Sequence, residues 1–465
     1  MGSRAKRFFE ELKLKKVAFI GVGVTNTELM KLMAKKGIDV TLCDKKTKEQ
    51  LGEVYQELEG LGVKFDLGQG YLAQLTSYDV IFRAPGVYFY LPELMSARKS
   101  GVVVTSEMEV FFELCPCKKY AVTGSDGKTT TTTLIAEMLQ AEGKTVHIGG
   151  NIGKPLLCYI EEMRPEDCAV VELSSFQLLS MREAVDVAVV TNVAPNHLDV
   201  HGTMEEYIGA KKHLVVHQNA FSRTILNLDN PITKEFAELA RGDLRWFSRS
   251  EGVERGTFLD SEGYLCAALD SGIMRVFHKD DIRIPGVHNI ENYLTAIAAV
   301  WGEVSPERMK QVARVFAGVE HRIELVRELG GVCWYNDSIA SSPTRTIAGL
   351  NSFAQKLILI AGGYDKKIPY EPLAPVITEK VKHLIIMGAT ADKIERAVTE
   401  CEGYAGGAPQ IWRVEDMTEA VNKARELATD GDIVTLSPAS ASFDKYKNFE
   451  ERGKHFKQLV NALAK

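Results

Sequence analysis

The chain has 465 residues, of which 45% are hydrophobic and 25% charged, and its formal net charge is -6. That size and composition fit a globular protein of two to four domains, at roughly 100–200 residues each, and the acidic balance speaks against a nucleic-acid binder. No apolar run reaches the ~18 residues of a membrane-spanning helix, and no apolar segment of signal-peptide length follows the basic start at Arg4 to Arg7, so a cytoplasmic protein without a membrane span is expected. The cysteines (Cys43, Cys115, Cys117, Cys158, Cys168, Cys266, Cys333 and Cys401) lack the spacing of a zinc or redox pair, Cys115-Pro116-Cys117 being one residue too tight, and reduced thiols are expected.

In chain order, residues 17–20 read as a buried strand, 28–36 as a helix with Leu29, Leu32 and Met33 on one side, 40–43 as a second strand ending at Asp44, and 80–82 as a third before a turn at Ala84-Pro85-Gly86. A second α/β unit starts near Lys118, with strands at 120–122, 168–173 and 187–192 and a helix at 129–140. A mixed stretch spans 221–283, and 289–300 is predicted helical. A third unit opens near Glu320, with strands at 357–360, 383–386 and 432–436. Strand–helix–strand alternation predicts an α/β fold with parallel sheets covered by helices. The expected domains are 1–110, 111–318 and 319–465.

Gly124-Ser125-Asp126-Gly127-Lys128-Thr129-Thr130 follows the 120–122 strand and opens a helix. Glycines there let backbone N–H groups turn toward phosphates, Lys128 supplies a charge, the Thr129 hydroxyl suits Mg²⁺, and the helix start adds its partial positive charge. The spacing is shorter than the standard Walker pattern. Gly21-Val22-Gly23 also follows a strand but lacks the third glycine of a dinucleotide fingerprint. Asp44 ends the next strand, where such folds place a ribose-binding acid. Glu172 ends a strand beside the phosphate loop, the position at which a nucleotide-bound Mg²⁺ needs a hard oxygen. His197, just past the 187–192 strand, reads on its own as structural, and Lys211 as a solvated surface lysine.

Together these residues resemble the Mur ligase family over nearly the whole chain. The family's Thr-Gly-x-x-Gly-Lys-Thr/Ser pattern matches Thr123 to Thr129. Glu172-Leu173-Ser174-Ser175-Phe176-Gln177-Leu178 is similar to the form typical of the D-glutamate-adding branch. Gly150-Asn151-Ile152-Gly153, Gly286 to Asn292, His321-Arg322, Tyr335 to Ser338 and Ser437 to Asp444 with Asn448-Phe449 resemble further family segments. The resemblance implies three domains: a Rossmann-like one for uridine diphosphate, a central P-loop ATPase-type one, and a Rossmann-like one for the amino acid. The implied reaction is ATP-dependent addition of D-glutamate to UDP-N-acetylmuramoyl-L-alanine through an acyl phosphate, in peptidoglycan synthesis, by a monomer. The implied ATP contacts are Gly124 to Thr130 with Asn292, Arg322 and Asp337. Val24, Thr25, Asp44, Lys45, Gly86, Asn151, Ser174 and Gln177 fall on the UDP-substrate, and Lys366, Ser442 and Phe449 on the amino acid. Lys128, Glu172, His197 and Lys211 match catalytic positions. Two Mg²⁺ sites, open to Mn²⁺, are implied at Thr129, Glu172, His197 and Lys211, the last as a carbamate. Domain closure on the ligands is implied as well.

One departure is visible. Many relatives carry a lysine where this chain reads Ile339, within Asn336-Asp337-Ser338-Ile339-Ala340-Ser341, and Arg345 is the expected partial replacement for the lost charge. Folylpolyglutamate synthase is a rival that lacks the first glycine-loop domain. Sister ligases adding L-alanine, L-lysine or diaminopimelate are others, but Asp229-Asn230-Pro231 is followed by Ile232 rather than arginine and lies in the middle domain. A nicotinamide-dependent oxidoreductase leaves the phosphate loop unexplained. A regulatory nucleotide-binding protein without catalysis is the remaining alternative.

Overall fold

A computed structural model describes residues 4–195, 201–404 and 406–464. Its described strands form three sheets. The first contains β1 (Lys16–Ile20), β2 (Asp39–Asp44), β3 (Lys64–Leu67), β4 (Val80–Arg83) and β5 (Val103–Thr105), in the order β3-β2-β1-β4-β5. All its pairings are parallel. Val17, Ala18, Phe19 and Ile20 are fully buried because helices cover both faces, which is why the strand reads as an unbroken apolar run.

The second sheet contains β6 (Lys118–Thr123), β7 (Val146–Gly150), β8 (Cys168–Glu172), β9 (Val187–Val190), β10 (Arg223–Asn227), β11 (Asp243–Ser248), β12 (Gly256–Leu259), β13 (Tyr264–Leu269) and β14 (Gly272–His278). Its order is β14-β13-β12-β11-β10-β9-β6-β8-β7. The sheet is parallel from β7 to β12 and ends in the antiparallel β12-β13-β14 run, and the mixed stretch 221–283 supplies β10 to β14. The third sheet contains β15 (Glu324–Leu329), β16 (Val332–Asn336), β17 (Leu357–Gly362), β18 (Val381–Met387), β19 (Gln410–Arg413) and β20 (Ile433–Leu436), in the order β15-β16-β20-β17-β18-β19. Only the β15–β16 pairing is antiparallel.

The chain divides into two compact units. One runs to Lys279 and adds Glu291–Val312; the other comprises Asp280–Ile290 and Ala313 onward. The first two sheets lie in the first unit because they share a core: Phe9, Phe19, Met30 and Phe82 belong to the same apolar cluster as Phe111, Leu157, Val171 and Leu214. The second unit has two apolar clusters of its own, with Leu359, Leu384 and Ile386 in one and Ile358, Ile360, Val434 and Phe456 in the other. Among the described residues no helix is long and apolar enough to cross a membrane.

Candidate functional site

Strand order places the phosphate loop. In a parallel sheet, ligands gather at the carboxyl ends of strands where the order reverses. The strand β6 sits between β8 and β9, so Gly124 after β6, Glu172 at the end of β8 and Thr191 after β9 arrive side by side at one edge. The helix Lys128–Ala141 starts directly from the loop, with Gly127 in the left-handed region as its cap. A Cβ on Gly124 would stand 1.9 Å from Thr191 Oγ1, and one on Gly127 2.5 Å from Asn292 Oδ1, so the loop tolerates no side chain at either position.

The strand β9 stops at Val190, two residues before the 187–192 prediction ends, because Thr191 and Asn192 turn to hold the loop. Thr191 Oγ1 donates to Asp126 O at 2.6 Å, and Asp126 N donates to Asn192 Oδ1 at 2.9 Å. Ser125 is buried, and its Oγ shares a 2.9 Å hydrogen bond with the Tyr207 hydroxyl. Lys128 folds back on the loop, its Nζ donating to Gly124 O at 3.0 Å and Ser125 O at 2.8 Å. Asn292 reaches the same helix, its Oδ1 accepting from Thr131 Oγ1 at 3.3 Å. Thr130 is buried.

Thr129 Oγ1 donates to Glu172 Oε2 at 2.7 Å, while Asn151 Nδ2 donates to Glu172 Oε1 at 2.9 Å. Hydroxyl and carboxylate oxygens meeting beside a phosphate loop suit a hard divalent cation. Among the described residues no group of three or more His, Cys, Asp or Glu is placed to hold a metal ion. His197 lies outside the described residues.

The surface reading of Lys211 is corrected by the structure. Lys211 is 1% exposed, on the helix Met204–Val216, and its Nζ donates to Gly124 O at 2.8 Å. The first turn of that helix is capped by Thr203, which fixes the helix end over the loop. Burial, and then the nearby Lys128 ammonium, hold the Lys211 amine well below the ordinary lysine range. Periodicity could not reveal this, because the burial comes from tertiary packing.

Ser174 caps the short helix Ser175–Leu178, and Gln177 closes a capping box with it. Ser174 N donates to Gln177 Oε1 at 2.9 Å, and the Phe176 carbonyl accepts from Arg83 Nη2 at 3.3 Å. Arg83 is 1% exposed and carried no sequence signal. At the carboxyl edge of the first sheet, Asp44 is buried and accepts from Val22 N at 2.7 Å and Lys46 N at 2.9 Å, so its carboxylate shapes the glycine loop. The helix there begins at Val24, four residues before the predicted 28, because Gly23 serves as its cap and puts Thr25 in the first turn. Val24, Lys45 and Gly86 are exposed at the same edge.

In the second unit, Asp337 follows β16 and accepts from Ser437 Oγ at 2.8 Å, just past β20. Burial pushes its carboxyl up to about 7, against the Ser437 hydrogen bond and the Arg322 charge. Arg345, on the helix Pro343–Leu350, donates from Nη1 to Ile339 O at 3.3 Å, and burial followed by Arg322 lowers its pKa. The buried Arg452, which the sequence did not flag, donates to Ser338 O at 2.9 Å and to Ser440 O and Ala441 O at 3.0 Å. It thereby pins the loop that carries buried Ser442. The Phe449 carbonyl accepts from Ser338 Oγ at 2.8 Å, whereas Lys366 is exposed.

Three family models match: the Mur ligase MurD-like N-terminal domain over residues 15–106, the Mur ligase middle domain over 122–300, and the Mur ligase glutamate ligase domain over 321–440. The UDP-N-acetylmuramoylalanine–D-glutamate ligase of Acetivibrio thermocellus is 52% identical over 466 residues, covering 100% of both chains. The like-named protein of Ruminiclostridium cellulolyticum is 49% identical over 465 residues, again with 100% of both covered. Among solved structures, a UDP-N-acetylmuramate–alanine ligase from Thermotoga maritima matches 96% of this chain and 99% of its own, with TM-score 0.58 at 16% identity. A pseudomurein peptide ligase type C from Methanothermus fervidus gives 0.51 at 18% identity, covering 96% of this chain and 99% of its own. At those identities the two structures speak for the fold alone.

Proposed function

The chain belongs to the Mur ligase family, and from that premise we propose that it joins D-glutamate to UDP-N-acetylmuramoyl-L-alanine at the expense of ATP, in peptidoglycan synthesis. The observation that carries the chemistry is the grouping of Lys128, the Thr129–Glu172 pair and buried Lys211 around one phosphate loop. In this reading the domains are 1–110, 111–318 and 319–465, holding the UDP-substrate, ATP and the amino acid.

A free carboxylate is a poor electrophile. Transfer of the ATP γ-phosphoryl to the substrate carboxylate gives an acyl phosphate and ADP. The amine of D-glutamate then attacks the acyl carbon, the amide forms, phosphate leaves and the amine loses a proton. Phosphoryl transfer depends mainly on positioning and charge neutralisation. Lys128 supplies charge by moving its Nζ from the Gly124 and Ser125 carbonyls to the phosphates. The loop's backbone N–H groups and the helix start at Lys128 orient them. Asn292, Arg322 and Asp337 hold the rest of the nucleotide. Val24, Thr25, Asp44, Lys45, Gly86, Asn151, Ser174 and Gln177 hold the UDP-linked acid, and Lys366, Ser442 and Phe449 the amino acid. Two Mg²⁺, or Mn²⁺, held by Thr129 and Glu172 and by His197 with carbamylated Lys211, would offset the repulsion between phosphate and carboxylate. A monomer is the proposed working form. Free cysteines throughout agree with a cytoplasmic location.

The test is an amino-acid panel with ATP and UDP-N-acetylmuramoyl-L-alanine, scored by product mass and phosphate release. Release is expected only with both co-substrates and D-glutamate. Release without either, or a different preferred amino acid, overturns the assignment. Arg345 supplies charge near the position where Ile339 replaces the family's lysine. Arg345→Ala is expected to raise the KM for D-glutamate roughly tenfold, the lower end for one charge-assisted hydrogen bond, with the KM for ATP unchanged. An unaltered D-glutamate KM removes Arg345 from amino-acid binding.

A further inference from the structure

The helix Ser175–Leu178, capped by Ser174, presents the side chains that the proposed function assigns to the UDP-linked acid, and the inference below rests on that reading. A histidine holds it. His201 is 2% exposed, and its Nε2 shares a 2.8 Å hydrogen bond with Ser175 Oγ. Its imidazole lies parallel to the Phe176 ring, centroids 4.9 Å apart and planes 3° apart. Tyr207 meets the imidazole in a T-shaped contact, with centroids 5.4 Å apart. His201 Nδ1 stands 3.8 Å from Glu206 Oε1, which accepts from the Tyr88 hydroxyl at 3.0 Å.

The ring is therefore held by three segments of the chain. Phe176 and Ser175 come from the substrate turn, Tyr207 and Glu206 from the helix Met204–Val216, and Tyr88, through Glu206, from the loop after β4. That helix also carries Lys211, whose Nζ lies 4.6 Å from the Tyr207 ring centroid, and Tyr207 reaches the phosphate loop through Ser125 at 2.9 Å. Stacking alone would be served by any flat apolar ring. The directional bond to Ser175 would not, and Ser175 is the residue directly after the cap, so fixing its side chain fixes the first turn.

We propose that His201 is a positioning residue: acting through Ser175, it sets the Ser174–Gln177 turn for the UDP-linked acid and ties that turn to the helix bearing Lys211. His201→Phe keeps the stacked ring and removes the Nε2 partner, while His201→Gln returns an amide close to that atom. The Phe variant is expected to raise the KM for UDP-N-acetylmuramoyl-L-alanine about fivefold, the factor of one lost buried hydrogen bond, leaving kcat and the KM for ATP within about twofold. The Gln variant recovers most of the loss. Ser175→Ala reproduces it, and combining Ser175→Ala with His201→Phe adds little, because both remove the same bond. Amide hydrogen exchange read by mass spectrometry is expected to speed up over residues 174–179 in the Phe variant and to return in the Gln variant. Unchanged KM with unchanged exchange overturns the proposal. So does a loss shared equally with the ATP KM that Gln does not recover. If the wild-type protein does not use the UDP-linked acid, the substrate reading fails, while the exchange comparison still decides whether His201 holds the turn.

Discussion

Lys128→Ala is expected to slow ligation by ~10³-fold or more, the scale on which a transition-state cation acts in phosphoryl transfer. The charge on the equatorial oxygens is largest in the transition state, so the loss should fall on kcat more than on the KM for ATP. Lys128 is suited to this because its Nζ already rests at the loop, donating to the Gly124 and Ser125 carbonyls at 3.0 and 2.8 Å. Lys128→Arg is expected to restore little. A planar guanidinium cannot fold into the space that an ammonium fills as a point charge. Single-turnover phosphate release at saturating ATP checks the effect, with a thermal melt to establish that the loop variants fold. A Lys128→Ala protein that ligates at the wild-type rate would remove the phosphate loop from the chemistry.

The sequence made the apolar interior strands legible, and left the edges and the interior β10 to β13 and β16 unmarked. Residues 17–20, 120–122 and 357–360 are apolar without interruption, and 40–43 only with Thr41 between, because each lies inside a sheet covered on both faces, and all are strands. The edge strands β3, β5, β7 and β19 are short and partly exposed, and only β5 carries an apolar run, Val102 to Val104. The hairpin β15–β16 was lost for the same reason on its outer member, where β15 is mostly half-buried. The same division governs the site. A phosphate loop declares itself through glycine, lysine and threonine at fixed spacing, and Glu172 through its place at a strand end. His201, Arg83 and Arg452 announce nothing, and Lys211 announces itself only through family resemblance, since each is a polar residue whose burial is created by elements distant in sequence. A lysine on an amphipathic helix looks solvated until a loop about ninety residues earlier closes over it.

Lys211→Ala is expected to lower ligation by ~10²–10³-fold, the range seen when one electrostatic group of a preorganised site is removed. The case begins with the cost of the residue. A buried ammonium loses its hydration, a penalty of several kcal/mol even after relaxation. Here it also faces a second cation, since Lys128 lies close enough to depress it further. The carbonyl of Gly124 at 2.8 Å and the Thr123 hydroxyl at 3.4 Å offer partial compensation. Burial and Lys128 therefore favour the neutral amine, which is the form that attacks carbon dioxide. Carbamylation would form the N–C bond, release a proton to solvent and leave an anion beside the Lys128 ammonium. A carbamate also explains why the chain would keep a lysine there, where a residue that is never charged would be less costly to bury. Short-chain carboxylic acids should then restore part of the activity of Lys211→Ala by occupying the vacated space with a carboxylate. Lys211→Arg should be inactive with or without them, because it restores a permanent cation. Phosphate release by the alanine variant across formate, acetate and propionate, at fixed ionic strength, is the measurement. If none of the acids rescues an otherwise well-folded variant, the amine acts as it stands and the carbamate is excluded from the mechanism.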